Sequence, residues 1–468
     1  MSDPIPITLA LNSYKASSKS GSDERLLNMY LEPLPPESAF KAVLYGSCGL
    51  TLVENLDQFD PVWGMQIMGA NLYIICGVTV YKIDTALNVT NLGDLPTIAG
   101  RVMLTDNGSQ LTILTASGRS FYTDGTVLEE ITSPDYKLSS SVDTSDGYTI
   151  FSKQNSNEFF ISGINNTTIY NSLDYTLVQS QSDNIVRIFA NQGQLWIFKQ
   201  YTTEIYYDSG NPFFPFQQIN GANIQRGCSA KFSISSDDTG IYWLGDDRSV
   251  YVAQGYEAQK ISTYAIDTAI RQYTVISDAF SFIYTDNGHK FLALTFPTEG
   301  VTWEYDLLTN LWHERQSYNT TRWRANCSVF FAGRYLIGDY QEGIIYEIDS
   351  TNYTENGDPI FREIISTNQY LQSNRFTLDR FLIKMDTGIG LTSGEGSNPQ
   401  IMLQISTDGG YTWSNEMWQP LGKIGNYQTE IVWYRLGWGR EFTFKLRISA
   451  AVKVAILEAY INVTNGIS

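Results

Sequence analysis

From about residue 70 onward, apolar residues fall in short alternating runs broken by Gly, Asn and Asp, and the runs come in pairs. The paired runs are "GANLYIICGVTVYKID", "GSQLTILTASGRSFYTDG", "DGYTIFSKQNSNEFFISGI", "QGQLWIFKQYTTEIYYDSG", "TGIYWLGDDRSVYVAQGY", "NGHKFLALTFPTEGVTWEYD" and "AGRYLIGDYQEGIIYEID". In "QLWIFKQYTTEIYY" the pattern is two strands flanking a polar turn. The first strands fall near Leu72, Leu111, Tyr148, Leu195, Ile241, Phe291 and Tyr335, spaced 39, 37, 47, 46, 50 and 44 residues apart. A unit of about four strands every 40–50 residues predicts propeller blades. So small a sheet cannot bury both its faces alone, so sheets stack around an axis and cover one another. A sandwich meander, the competing arrangement, recurs at about 8–12 residues. Seven hairpins are visible, and one of them can close the ring or lie outside it, so six or seven blades are expected.

The pattern changes at both ends. The lead contains "NMYLEPLPPESAF", whose prolines favour an extended arm over a packed helix. Residues 1–45 are assigned to this arm and a ring-closing strand region, and 46–352 to the propeller. The best candidate for a helix is the short stretch "YAIDTAIRQY". After Asp349, "TNYTENGDPIFREIIS" reads as a linker. It leads into "RFTLDRFLIKMDTG", "PQIMLQISTDGGYTW", "TEIVWYRLGW", "FTFKLRIS" and "KVAILEAYINV". These strands predict a separate C-terminal β domain, sandwich-like, over 353–468.

Composition sharpens the picture. The chain has 30 Tyr, 23 Phe, 10 Trp and 37 Gly with only 17% charged residues, which favours strands and tight turns. Its net charge of −18 argues against free nucleic acid as a partner for the whole surface. Residues 375–468 carry nine Lys+Arg against eight Asp+Glu, leaving 22 against 41 in the rest, so the charge step marks a domain boundary. Cys48, Cys76, Cys228 and Cys327 are far apart with no C-x-x-C, which suits buried thiols in a reducing compartment. The N-terminus lacks a signal-peptide pattern. "ANLYIICGVTVY" is about half a membrane span.

The chemistry is sparse. "STDGGYTW" from Ser406 fits the Asp box of sialidase blades, S-x-D-x-G-x-T-W. In that motif Asp and Gly shape a turn, and the single copy lies outside the repeats, so it reads as structural. A sialidase would also need an arginine clamp, a Tyr–Glu nucleophile pair and an acid–base Asp, and nothing in the sequence marks them. His289 and His313 are the only histidines and have no metal-ligand spacing. Phosphate-loop and nucleophile-elbow patterns are absent. "DNGS" at Asp106 and "DNGHK" at Asp286 suggest two-residue hairpin turns, not calcium loops. No catalytic residue, metal or cofactor is expected. In "WYRLGWGREFTFKLR", Arg435, Trp438, Arg440, Lys445 and Arg447 form a candidate docking surface, a cationic edge for an acidic neighbour such as the propeller of another subunit.

The same region carries a resemblance. "LQISTDGGYTWSNEMWQPLGKIGNYQTEIVWYRLGWGREFTFKLRIS" resembles the end of the packaged-DNA stabilisation proteins of short-tailed phages, the tail hub or nozzle. In that family a T-D-G strand with an aromatic precedes "R-V/L-x-W-x-R-L-G" and a final "F-K-L-R". Here the matching pieces are Thr407-Asp408-Gly409, "IVWYRLGWGR" and "FKLRIS". "RLLNMYLEP" is similar to the family's N-terminal strand. In "YGSCGLTL", Cys48 stands where the family has Pro. The resemblance implies a non-enzymatic virion protein, assembled in the bacterial cytoplasm as a homohexameric ring below portal and adaptor. It further implies that the ring retains packaged double-stranded DNA and anchors a tail needle or plug and tailspikes or tail fibres. The alternative is a phage propeller that binds or cleaves carbohydrate, for which the many Tyr and Trp would supply stacking surfaces.

Overall fold

The computed structural model describes residues 3–16, 18–19, 21–57, 59–96, 100–370 and 374–466. Among them, each hairpin predicted above forms the second and third strands of one antiparallel sheet. Blade 1 runs Val62–Met68, Asn71–Cys76, Thr79–Ile83, Val89–Asp94, and blades 2 to 5 repeat the plan through Glu257–Lys260. Blade 6 is Phe280–Asp286, His289–Phe296, Val301–Asp306, Leu311–Arg315. Blade 7 is Ala325–Phe331, Arg334–Asp339, Gly343–Asp349, with Gly49–Asp57 as its outermost strand. The ring therefore has seven blades. The strand that opens the propeller completes the last blade, pairing Gly49 with Asp349 and Asp57 with Gly343. The closing strand lies just beyond the stretch 1–45 to which it was assigned.

The core follows the packing argument. Seven apolar clusters lie between successive sheets. One joins Ile75 and Val80 of blade 1 to Ile113 and Phe121 of blade 2, and another returns from Ile74 to Leu336 and Ile345 of blade 7. Trp243, Phe198, Phe159 and Trp312 are almost fully buried in these seams. Burying one such side chain stabilises by about 1.5–3 kcal/mol, which explains why the second and third strands, buried on both faces, carry the aromatic excess. The predicted short helix is Tyr264–Gln272, capped by the Thr263 hydroxyl, and it buries Ile266 and Ile270 between blades 5 and 6. The turn at Asp286 has two residues, Asn287 (φ 49°) and Gly288 (φ 86°), as expected. The turn at Asp106 does not. Asp106 pairs with Leu111 across four loop residues, because the Asn107 carboxamide holds the Ser109 and Gln110 amides.

The C-terminal domain is a two-sheet sandwich. One sheet orders Met29–Pro33, Ala42–Gly46, Ala455–Asn465, Phe376–Met385, Ile431–Tyr434. The facing sheet contains Arg362–Ile365, Glu441–Ile448, Gln400–Ser406 and Met417–Pro420. Phe381 of the first stacks on Phe444 of the second, with centroids 4.3 Å apart and planes 6° apart.

The N-terminal lead is extended, as its prolines suggest, but it is not a free arm. Ile5–Ile7 and Ala42–Gly46 pair with Ala455–Asn465 in the sandwich. Asp23–Leu27 lies between Leu311–Arg315 of blade 6 and Arg362–Ile365 of the sandwich. One hydrogen-bonded sheet thus runs from the propeller through the N-terminal strand into the second domain.

Candidate docking surface

The five residues of the candidate surface come from adjoining segments, yet the fold sends them to two sheets. Lys445 and Arg447 lie on Glu441–Ile448, where Phe444 and Leu446 point into the core and the alternate side chains point out. Lys445 Nζ sits 4.2 Å above the Trp413 ring, and Arg447 pairs with Glu363 at 2.6 Å. Arg435 and Trp438 belong to the opposite sheet. Arg435 occupies a left-handed turn (φ 59°), and its amide donates to the Asp379 carbonyl at 2.9 Å. Trp438 pairs with Thr377 and is 63% exposed, with the Arg375 guanidinium 4.8 Å from its ring. Arg440 is exposed beyond the Trp438–Gly439 bridge. The single cationic edge is therefore two outer faces with the core between them.

The face around Trp438 gains residues that the sequence reading missed. Arg380 pairs in register with Tyr434, lies 6.0 Å from its ring and is ion-paired with Glu430. Arg375, Arg380, Tyr434, Arg435 and Trp438 make an aromatic and cationic strip. Simple alternation does not place these on one face, because Arg435 sits in a turn after Tyr434 and the register shifts between Leu378 and Arg380, and only pairing in space joins residue 375 to 438.

The other face is a ladder of charges. Lys15 and Glu314 (3.0 Å), Glu314 and Arg25 (2.7 Å), Arg25 and Glu363 (2.8 Å), Glu363 and Arg447 (2.6 Å) and Arg447 and Glu416 (3.8 Å) alternate in sign from blade 6 to the sandwich. Burial alone would raise the Glu314 and Glu363 carboxyls. Arg25, helped by Lys15 at one and Arg447 at the other, holds both below the ordinary value. The ladder ties the domains together, so Arg447 reads as part of the joint, whereas Lys445 packs on Trp413 within the sandwich.

A second tie uses a histidine. His289 Nδ1 bonds the Asp306 carboxylate at 2.8 Å, and Nε2 meets Glu32 of the sandwich strand Met29–Pro33. Burial works against the imidazolium, but Asp306 and Glu32 outweigh it and raise its pKa. His313 is buried against Glu304 at 3.0 Å. Both histidines are packed in blade 6. Among the described residues there is no group of three or more His, Cys, Asp or Glu placed to hold a metal.

The Asp box is consumed by its own turn. Asp408 accepts from the Ser406 hydroxyl (2.6 Å), the Thr412 amide (2.9 Å) and the Thr412 hydroxyl (2.6 Å), which drive its carboxyl far below the usual range. The Ser406 oxygen accepts from the Gly410 amide at 2.8 Å. Burial pushes the Cys76 and Cys327 thiols up to about 12 and the Cys228 thiol up to about 11. No helix among the described residues is long and apolar enough to cross a membrane.

Residues 7–353 match the family model described as bacteriophage P22 Gp10, beta-propeller, and residues 362–464 match the model described as bacteriophage P22 Gp10, beta-sandwich. No curated protein matches the chain. Among solved structures, the chain is similar to the computationally designed Ika8 protein (10% identity, 64% of this chain and 100% of that one, TM-score 0.43). It is also similar to BamB from Moraxella catarrhalis (10%, 69% and 97%, TM-score 0.40) and to the C-terminal WD40 domain of Sif2 (10%, 65% and 99%, TM-score 0.40).

Proposed function

The chain belongs to the bacteriophage P22 Gp10 family, structural proteins of the phage tail, and on that premise we propose that it is the tail hub of a short-tailed phage. Six copies form a ring below the portal and adaptor, retain the packaged double-stranded DNA, and anchor the tail needle and the tailspikes or fibres. The observation that carries this reading is the continuous sheet from blade 6 through Asp23–Leu27 into the sandwich. A hub under load needs its domains to move as one body. Backbone pairing reinforced by a charge ladder resists hinge motion far better than a tethering linker does.

The Trp438 strip is the surface we assign to subunit contact. Its arginines complement the acidic propeller of a neighbour, and its exposed aromatics supply contact area. Lateral contacts of this kind stay weak until a docked template raises the local concentration of subunits, which keeps rings from closing prematurely. The acidic bulk suits a conduit along which DNA slides without sticking.

Co-expression with the portal and adaptor, followed by native mass measurement, tests the reading. Six copies per adaptor ring are expected, and Trp438→Ala with Arg435→Glu should abolish their addition. A chain that stays monomeric beside the portal–adaptor complex, or that depolymerises a host polysaccharide, would overturn it.

A further inference from the structure

In a chain of net charge −18, four cations converge at the end of the propeller's central channel where the innermost strands begin. Arg101 precedes the first strand of blade 2, Arg187 lies on Ile185–Asn191 of blade 4, and Lys231 and Arg322 precede the inner strands of blades 5 and 7. Two cavities of about 600 and 230 Å³ meet there and share Trp63, Arg101, Phe232 and Asn326 as walls. Lys231 and Arg322 line the larger, and Arg187 lines the smaller.

The four cations are neighbours. Arg101 and Arg322 both donate to the Asn326 side-chain oxygen, at 2.7 and 3.5 Å, and both lie over the Phe280 ring, at 3.7 and 5.5 Å. Arg101 and Lys231 share the Phe232 ring, and Arg187 donates to the Lys231 carbonyl at 2.8 Å.

Among the described residues, none of the four has a carboxylate within ion-pairing distance, although most arginines elsewhere in the chain do. Acids act on these cations only from beyond that distance, Asp143 on Arg187 and Asp339 and Asp278 on Arg322, and one Asp278 oxygen is buried with no partner. Asp278 accepts from the Thr298 amide and hydroxyl, and Asp143 accepts from the Ala190 amide. The Arg187 Nε is buried with no partner at all. Burial, then the charges of Arg322 and Arg187, push Arg101 down to about 10, and Lys231 is lowered by burial and by Arg187. Four like charges held together in a half-buried cavity, none of them ion-paired, favour the entry of an anionic group.

We propose that this end of the channel is a binding site for a phosphate group. Arg101 and Arg322 grip it through their forked N–H donors, and Arg187 and Lys231 supply the remaining charge. One carboxylate would neutralise only one of the four cations, whereas a phosphomonoester or a short run of phosphates answers several at once. Trp63, on the wall that both cavities share, is an aromatic side chain on which an attached ring can stack, so the ligand class is a nucleotide, either free or at the end of a DNA strand.

Calorimetry on the full chain at low salt tests this with four probes: inorganic pyrophosphate, deoxyadenosine monophosphate, and a short single-stranded oligonucleotide with and without a 5′-phosphate. Pyrophosphate is expected to bind the wild type. A tenfold preference for the phosphorylated over the unphosphorylated oligonucleotide identifies a strand end as the source, and binding of the mononucleotide alone identifies a free one. Arg101→Gln with Arg322→Gln should weaken every phosphate probe at least tenfold. Because those cations repel each other, the same variant should melt no lower than wild type in phosphate-free buffer while losing the rise in melting temperature that pyrophosphate gives wild type. Failure of all phosphate probes to bind, equal binding by the variant, or binding of citrate with none of pyrophosphate would overturn the assignment.

Discussion

Replacing Arg25 with alanine removes the cation that two buried carboxylates share across the joint between the domains. Its guanidinium lies 2.7 Å from Glu314 of blade 6 and 2.8 Å from Glu363 of the sandwich. Stripping one partner from a fully buried pair costs about 3–5 kcal/mol. Here the Arg25 side chain is 24% exposed, and each carboxylate keeps a second cation, Lys15 or Arg447. Those facts reduce the expected loss to about 2–3 kcal/mol. Hydrogen exchange at the amides of Arg362–Ile365, which sit between the N-terminal strand and Glu441–Ile448, reads the change locally. Protection should fall about 30- to 150-fold at pH 7. The sign with pH is fixed by the depressed carboxyls. Their contribution is full above the ordinary value of 4.5 and is lost as pH falls through their lower folded values, so wild type and variant should converge in acid. A loss under threefold, or one of equal size at pH 7 and in strong acid, would refute the electrostatic account and leave only lost packing of the Arg25 stem.

Four further outcomes follow from other parts of the molecule. Gly49→Ala places a Cβ 2.1 Å from the Thr354 carbonyl oxygen, so it should destabilise the ring-closing strand by about 1–3 kcal/mol or more, measured as a lower melting temperature. Asp408→Ala should speed exchange of the 406–414 amides without changing any polysaccharide-cleavage assay, since every Asp408 bond serves the turn. Trp438→Ala should reduce ring assembly at least tenfold with an unchanged circular dichroism spectrum, whereas Lys445→Ala, whose ammonium packs on Trp413, should assemble normally. All four thiols are unpaired, and burial raises each pKa, so Ellman's reagent at pH 8 should titrate them only after unfolding in guanidinium.

Much of the fold was legible because propeller blades are local. Each hairpin pairs residues close in sequence, such as Leu195 with Tyr206, and its alternation and turn residues lie within a twenty-residue window. The same locality exposed the helix at Tyr264–Gln272, with Thr263 ahead of it and an apolar stripe at Ile266 and Ile270. The placement of the proposed docking residues was only partly legible. Trp438 and Arg435 were named, but Lys445 and Arg447 were grouped with them because they are near in sequence, and a sandwich sends successive strands to opposite sheets.

The sequence by itself determined the units: how many hairpins, how they repeat, where the charge steps, and that Asp408 belongs to a turn. Only the tertiary structure decided what those units meet. Glu314, Arg25 and Glu363 are separated by up to 338 positions, and Arg101 finds Arg322 only because a closed ring brings the starts of its inner strands to one axis. Periodicity records which face of a strand is buried, because burial selects residue type position by position. It does not record which distant strand lies alongside, because that is set by the one closure in which every apolar face is covered at once.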